Sequence, residues 1–199
     1  MGFLSDVAVL LIQIIFGFVI LAIMLRVLLQ TVRADFHNPI SQIIYRLTNP
    51  LIAPFQFMPR FRSVDLSSIT LMFLLQYVML ILLNLVMGSS PLLVINLVKA
   101  PFGLVSLLLN IYLFSIIVMV IVSWIQPAGS YNPIVALINQ IIRPIMEPVR
   151  RRMPPMGGLD LSPMVVILLI MIAKLAVNHL SYNILSSMGA AVPMRIGAH

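Results

Sequence analysis

The 199-residue sequence contains no cysteine, which excludes disulfides, thiolate-bound iron–sulfur clusters, a thiol nucleophile and covalent haem attachment. Histidine is scarce as well: His37, His179 and His199 form no H-x-x-H or H-E-x-x-H pattern. We therefore predict no metal site and no cofactor. Walker A loops, GxSxG elbows and GxGxxG fingerprints are also absent. Because no catalytic constellation stands out, we predict that the protein is not an enzyme.

Charge is equally sparse, because charged residues make up 9% of the chain and hydrophobic residues 61%. Soluble domains have about 25% charged residues. Four apolar runs, approximately residues 4–25, 66–87, 101–125 and 163–185, are each long enough to cross a ~30 Å hydrocarbon core. These runs predict an all-α integral membrane protein with four transmembrane helices. The first run lacks a basic start, so we expect it to be retained and not removed as a signal peptide.

A proline-marked stretch occurs twice, with its second copy displaced by 94 or 95 positions. The matching residues are Asn38-Pro39 and Asn132-Pro133, Pro50 and Pro144, Pro54 and Pro148, and Asp65 and Asp160. An internal duplication is the simplest explanation. We predict two tandem repeats, residues 1–90 and 91–199, each containing a transmembrane helix, a short amphipathic helix and a second transmembrane helix, with a mobile tail at the end of the second.

Each copy of the stretch predicts a short amphipathic helix. An Asn-Pro pair suits a helix start, because the Asn side chain accepts a bond from an orphan N–H and proline fits the first turn. Apolar residues then follow at helical spacing. They are Ile40, Ile43, Ile44 and Leu47, and Ile134, Leu137, Ile138 and Ile141, with Ser41, Gln42, Arg46 and Thr48 on the opposite side of the first helix. We expect Pro50 and Pro144 to end these helices, which then cover about residues 39–49 and 133–143. Helices this short do not cross a bilayer, so we expect them at the membrane surface; packing into a protein core is the alternative.

Basic residues indicate the orientation in the membrane. Nine flank the two stretches: Arg26, Arg33, Arg46, Arg60, Arg62, Arg143, Arg150, Arg151 and Arg152. The opposite side has Lys99 and Arg195. Because basic residues mark the cytoplasmic side, we predict that both stretches are cytoplasmic, that both termini are periplasmic and that the repeats run parallel. Anionic lipid headgroups explain the net charge of +7 better than nucleic acid, because no base-stacking aromatics accompany the arginines. A protein or nucleoid partner on this face is the alternative.

Two further groups of polar residues have competing interpretations. Asp65 and Asp160 each precede a predicted span beside arginines; we expect both to cap helices, with a catalytic pair as the less favoured alternative. Lys174 lies mid-span, with Asn178 one turn further on the same face and His179 beside it. A mid-membrane lysine costs at least ~2.5 kcal/mol to insert, so by default it faces the bundle interior or a wet cavity. Structural hydrogen bonding is slightly favoured over an ion or proton pathway.

The repeated motif resembles that of the YggT family of bacterial membrane proteins, which has chloroplast relatives in plants. Two Asn-Pro starts, the spaced prolines and the signature RPIMEPVRRRMPPMGGLDLSP at residues 143–163 carry the resemblance, which covers about residues 20–170. The first copy departs from it at Phe61-Arg62-Ser63-Val64, where the glycines are missing. The resemblance implies a small inner-membrane protein. Its relatives are linked to hyperosmotic tolerance and potassium uptake, to cell division or nucleoid organisation, and in plastids to assembly of a membrane cytochrome. No catalytic residues transfer.

Two functions therefore compete. The first is a non-enzymatic scaffold or assembly factor whose paired cytoplasmic motifs bind a protein partner or a second copy of the chain. The second is an oligomeric ion channel or potassium-uptake accessory that uses the region of Lys174. Four short spans make a monomeric pore hard to build, so the second function requires an oligomer.

Overall fold

The computed structural model describes residues 2–56, 60–61, 64–90, 92–125, 132–153 and 160–189. Its α-helices in these ranges are α1 (Phe3–Thr31), α2 (Pro39–Ile52), α3 (Leu66–Val86), α4 (Leu93–Ile125), α5 (Pro133–Arg152) and α6 (Ser162–Ser187). A 3₁₀ turn, Ala53–Phe55, follows α2, and β1 (Arg60–Phe61) pairs antiparallel with β2 (Val64–Asp65). Arg62, Pro59, Pro154, the Gly157-Gly158 pair and residues 190–199 of the tail that was expected to be mobile after Met188 lie outside the described residues.

Four helices, α1, α3, α4 and α6, are long and apolar enough to cross a membrane, which confirms the predicted fold class. In the first half α1 packs against α3 and α2, and in the second half α4 packs against α6 and α5. Contact between α3 and α4 joins the halves. The two short helices also touch each other, so they lie at the same end of the bundle. The two halves therefore run in the same direction, as the parallel repeat requires.

Two apolar clusters hold the helices together. The first lies between α1, α2, α3, α4 and the first half of α5, and includes Ile23, Ile52 and Leu71. The second joins α4, α5 and α6 through residues such as Ile116 and Met146. Elsewhere the four long helices present apolar side chains outward: Phe18, Phe114 and Leu175, for example, are at least 60% exposed. Outward apolar side chains on spanning helices suit a lipid environment, where no water drives their burial.

The prediction that prolines end the short helices is wrong. Helix α2 continues past Pro50 to Ile52, and α5 continues past Pro144 and Pro148 to Arg152. All three prolines are exposed. A proline inside a helix removes one backbone hydrogen bond and crowds the preceding turn. Because these prolines lie on the outer side of their helices, the disturbed turns do not disrupt the packed face.

Helix α4 also departs from the prediction, because it begins at Leu93 and not at Pro101. Pro101 lies exposed inside the helix. The 33 residues of α4 span about 50 Å at 1.5 Å per residue. Because the hydrocarbon core is about 30 Å thick, α4 must tilt or extend beyond it.

Helix α1 ends in a Schellman motif that places an arginine in the left-handed backbone region. The N–H of Ala34 donates to the Leu29 carbonyl at 2.8 Å, and the N–H of Arg33 donates to the Gln30 carbonyl at 3.2 Å. Arg33 has a φ of 52°. Glycine usually occupies this position because it lacks the Cβ atom that crowds the backbone. The motif turns the chain toward α2, with Ala34 buried beneath it.

Replacing Arg33 with glycine is expected to raise the free energy of unfolding by about 1 kcal/mol, because the left-handed strain is removed. Arg33→Ala is the matched control: it removes the same charge but keeps a Cβ atom. Unfolding of the purified protein in detergent, titrated with sodium dodecyl sulfate, measures both. Equal effects of glycine and alanine would show that the arginine side chain, and not the backbone, determines stability here.

Candidate functional site

Both Asn-Pro pairs start helices as predicted. The Asn38 side chain accepts a hydrogen bond from the Ile40 N–H at 2.9 Å, and Asn132 accepts one from Ile134 at 2.9 Å. Pro39 and Pro133 occupy the first turns of α2 and α5. The predicted capping role of both asparagines is therefore confirmed.

The structure also joins the two motifs, which the sequence did not reveal. The Asn38 amide donates to the Pro133 carbonyl oxygen at 2.7 Å. Nearby, the Asp35 backbone N–H donates to Gln140 Oε1 at 3.1 Å. Asn38 is 4% exposed, whereas Asn132 is exposed. The asparagine of the first repeat thus forms a hydrogen bond to the second repeat and also caps its own helix.

The inner face of α2 is built around a buried arginine from α1. Arg26 is 6% exposed, and its Nη1 atom donates to Thr48 Oγ1 at 3.0 Å and to Asn49 Oδ1 at 2.6 Å. Its guanidinium also lies 4.7 Å from the centre of the Tyr45 ring, within cation–π distance. From the sequence, Arg26 was predicted only to mark the cytoplasmic side, and Thr48 was predicted to lie on the polar side of α2, away from the apolar face. An arginine near the end of an otherwise apolar helix was the signal for this contact.

The outer face of α2 combines an apolar stripe with a basic edge. Ile43, Leu47 and Leu51 follow one another at four-residue spacing and are 63%, 45% and 41% exposed. Arg46 lies exposed beside this stripe, and the exposed Pro54 follows in the 3₁₀ turn. Of the predicted apolar face, Ile40 and Ile44 pack toward the first cluster, while Ile43 and Leu47 point away from it.

Helix α5 differs, because its apolar side is packed and its other side is charged. Leu137, Ile141 and Met146 are at most 5% exposed. On the charged side Glu147 accepts hydrogen bonds from Arg151 Nη2 at 2.6 Å and from Arg143 Nε at 3.2 Å. Exposed Arg152 ends the helix. The result is a basic surface held in place by a carboxylate.

Two carboxylates outside the long helices keep their charge at neutral pH. Hydrogen bonds from Arg151 and then Arg143 hold the pKa of Glu147 below its ordinary value. Burial raises the pKa of Asp160, but hydrogen bonds from Ser162 and the nearby charge of Arg150 outweigh it and lower the pKa. Their ion pairs therefore stabilise the fold above the ordinary carboxyl pKa. This stabilisation is lost as the pH falls through the lowered values.

The two aspartates of the repeat have structural partners. Asp65 accepts a hydrogen bond from the Ser67 N–H at 3.2 Å and caps α3, as predicted. Asp160 accepts the equivalent bond from Ser162 at 3.0 Å, and it also pairs with Arg150 Nε at 2.9 Å. The predicted capping role is therefore confirmed for Asp65. At α6 the N-cap position belongs to Leu161, so Asp160 lies one residue before the cap and bonds to the first helical N–H from there.

In the part of the chain that the structure describes, Lys174, Asn178 and His179 of α6 form no hydrogen bond or ion pair with a polar partner from another span. Lys174 is partly exposed, and Asn178 and His179 are exposed on the outer surface. Among the described residues Lys174 makes no hydrogen bond or ion pair. Gln76 of α3 packs beside Gly103 of α4, where an added Cβ would lie 2.7 Å from Gln76 Nε2. Within the described ranges no group of three or more metal-ligating His, Cys, Asp or Glu residues occurs.

Comparison with known proteins points to one family. The family model CCB3/YggT matches residues 5–86 and again residues 98–181. The chain is 40% identical over 182 residues to the uncharacterised protein PA0392 of Pseudomonas aeruginosa, covering 89% of this chain and 92% of that protein. It is 32% identical over 161 residues to the uncharacterised protein YggT of Escherichia coli K12, covering 79% of this chain and 81% of the relative. No solved structure gives a significant match.

Proposed function

The chain belongs to the CCB3/YggT family, and from the joined ends of its two repeats we propose that it is a non-enzymatic scaffold or assembly factor of the bacterial inner membrane. The observation that carries this proposal is the bond from Asn38 to the Pro133 carbonyl, which sets the two motifs side by side. Arg46 on α2 and Arg143 and Arg150–Arg152 on α5 are all exposed, and these basic residues are here called the α2–α5 surface. Exposed basic side chains on two helices that touch each other suit docking of a partner more than catalysis.

The charge distribution supports a cytoplasmic position for the α2–α5 surface. In the sequence, nine basic residues fall in or beside the two repeated stretches, whereas only Lys99 and Arg195 fall in segments predicted on the opposite side. Basic residues are retained on the cytoplasmic side during membrane insertion. The termini are then periplasmic, and the surface is available to cytoplasmic partners and to the anionic inner leaflet.

The outer face of α2 supports an interfacial position for this helix. Its exposed stripe of Ile43, Leu47 and Leu51 would enter the boundary between headgroups and acyl chains, while Arg46 remains at the headgroups. Helix α5 has no comparable apolar stripe outward, because its apolar side packs into the first cluster through Leu137 and Ile141 and against α4 and α6 through Ile142 and Met146. In this arrangement α2 anchors the surface in lipid and α5 displays most of its charge.

Capture of a partner from native membranes tests the scaffold proposal. The tagged full-length chain is purified after photo-crosslinking in cells, and the captured proteins are quantified by mass spectrometry. We expect the variant R150Q/R151Q/R152Q to lose a specific partner that Lys174→Met, the matched control, retains. The reverse result, or equal capture by all variants, would contradict the proposal.

Growth of the same variants in hyperosmotic medium tests the link to osmotic-stress tolerance that the resemblance implies.

A second candidate is an oligomeric ion channel or potassium-uptake accessory. It is favoured by the outward position of Lys174, Asn178 and His179 on α6, because several copies together would enclose this polar face. Potassium flux into liposomes that contain the purified chain tests it. Flux that changes with Lys174→Met and not with R150Q/R151Q/R152Q would favour the channel over the scaffold.

A further inference from the structure

Helix α5 borders a cleft of about 220 Å³ at the charged side of the α2–α5 surface. Every described residue that lines it belongs to α5: Asn139, Ile142, Arg143, Met146, Glu147 and Arg150. Ile142 and Met146 are 3% and 2% exposed and form an apolar floor. The two arginines stand two helical turns apart on the same side, above this floor. The cleft thus combines an apolar base with basic walls.

The carboxylates around the cleft orient its arginines without using all of their donors. Glu147 binds Arg143 through Nε at 3.2 Å, and Asp160 binds Arg150 through Nε at 2.9 Å. Within the described part of the chain, the Nη groups of both arginines make no hydrogen bond. Each guanidinium therefore keeps two terminal nitrogens available, and guanidinium groups bind phosphate oxygens with high geometric fit. Asn139 adds an amide donor on the same side.

We propose that Arg143, Arg150 and Asn139 bind the phosphate diester of an anionic phospholipid headgroup. Counting every charge in these ion pairs, Arg143, Arg150 and Arg151 against Glu147 and Asp160, the net charge around the cleft is +1, which matches the single negative charge of a phosphate diester. The floor packs on Val166 in the first turns of α6. Because α6 is a spanning helix, this is the depth at which headgroups meet acyl chains. Leu161 and Met164, which are 42% and 70% exposed at the same end of α6, offer apolar contact to the acyl chains.

This site belongs to the second repeat. At the positions displaced by 94 residues the first repeat has Tyr45, Asn49 and Gln56 in place of Asn139, Arg143 and Arg150. There Asn49 and Tyr45 serve the buried Arg26. In the first repeat, α2 thus uses these positions to bind Arg26 of its own chain. In the second repeat, α5 has exposed arginines at two of the equivalent positions. The inference rests on the proposed position of this end at a membrane surface, and it does not require the docking of a protein partner.

Native mass spectrometry of the full-length chain in detergent, titrated with phosphatidylglycerol, tests the site. We expect a single tightly retained lipid, bound about tenfold more weakly by R143Q/R150Q because two charge-assisted contacts are lost. The matched control R46Q/R152Q removes the same charge outside the cleft and is expected to bind like the unaltered chain. Equal weakening of both double variants would overturn the site in favour of diffuse surface charge.

Two further arms complete the test. An excess of inorganic phosphate or glycerol 3-phosphate is expected to leave the lipid bound; displacement by either would assign the cleft to a soluble phosphate and overturn the proposal. If R143Q/R150Q does not fold, R143K/R150K is compared with R46K/R152K. Lysine keeps the charge but lacks the planar donor pair. Weaker lipid binding by the first lysine variant supports the site, and equal binding contradicts it. Loss of lipid with retained partner capture would leave the scaffold proposal intact.

Discussion

Replacing Thr48 with valine is expected to lower the free energy of unfolding by about 2 kcal/mol, because it deprives a buried guanidinium of an acceptor. Thr48 is fully buried, and its hydroxyl accepts from Arg26 at 3.0 Å while donating to the Ile44 carbonyl at 2.7 Å. Valine keeps the shape of the side chain but removes both bonds. The threonine is thus a link between α1 and α2, and the sodium dodecyl sulfate titration measures its contribution.

A double-mutant cycle separates the arginine contact from the rest. In an Arg26→Met background the buried guanidinium that needs this acceptor is gone, so Thr48→Val is expected to cost less than about 0.5 kcal/mol. Thr31→Val is the matched control: the exposed Thr31 hydroxyl donates to the Val27 carbonyl at 2.8 Å, and its loss is expected to change stability by about 0.5 kcal/mol or less. An equal cost of Thr48→Val with and without Arg26 would show that the hydroxyl acts through Ile44 alone.

Replacing each helix-starting asparagine with aspartate is expected to have opposite effects in the two repeats. At Asn132, which is exposed, aspartate keeps the cap and adds a charge that favours the helix dipole, so stability should rise by about 0.5 kcal/mol. At Asn38 the cap is also kept, but the donor to the Pro133 carbonyl is lost. A buried carboxylate then faces a carbonyl oxygen, which should cost about 2 kcal/mol.

The matched aspartate substitutions measure the bond between the repeats directly. Both substitutions change an amide to a carboxylate at the N-cap of a helix that begins with proline. The local sequence and the change in charge are therefore the same in the two variants. The measurement is again detergent unfolding at neutral pH. If both variants were stabilised by a similar amount, the Asn38 to Pro133 contact would contribute nothing, and the two motifs would fold independently of each other.

The features that were predictable from the sequence are those set by local chemistry. Apolar runs located the four long helices, and the Asn-Pro pairs located the starts of α2 and α5, because each signal acts within a few residues. Asp65 was likewise predicted as a cap from its own neighbourhood. The tandem match of the family model agrees with the internal repetition.

The features that were not predictable depend on which side of a helix faces the protein. Pro50 and Pro144 were expected to end their helices, but each lies on an exposed side where a missing backbone bond is tolerated, as does Pro148 further along α5. Pro101 in α4 follows the same logic. Proline position alone therefore gives poor helix ends in this chain, because the effect of a proline depends on tertiary packing.

Long-range polar contacts were also beyond the sequence pattern. Periodicity placed Thr48 on the polar side of α2. In the structure this side is buried at Thr48, because its hydroxyl accepts a hydrogen bond from Arg26, 22 residues earlier. The partner of Asn38 lies 95 residues away and is a backbone carbonyl, which no side-chain pattern marks. For Lys174 the spacing gave a correct helix but not a partner, because neighbours on other helices determine the environment of a membrane lysine.

Cross-linking in native membranes tests the joined α2–α5 surface most directly, because the natural chain has no cysteine to interfere. Cysteines replace Asp35 and Gln140. These two residues are close, because the Asp35 backbone N–H lies 3.1 Å from Gln140 Oε1. A short bis-maleimide should link them within one chain, whereas cysteines at Asp35 and Val94 should remain unlinked. Co-expressed single-cysteine chains control for links between copies. If the cysteines at 35 and 140 each react with a simple maleimide yet form no link within a chain, the two motifs do not share a surface, and the scaffold proposal loses its basis.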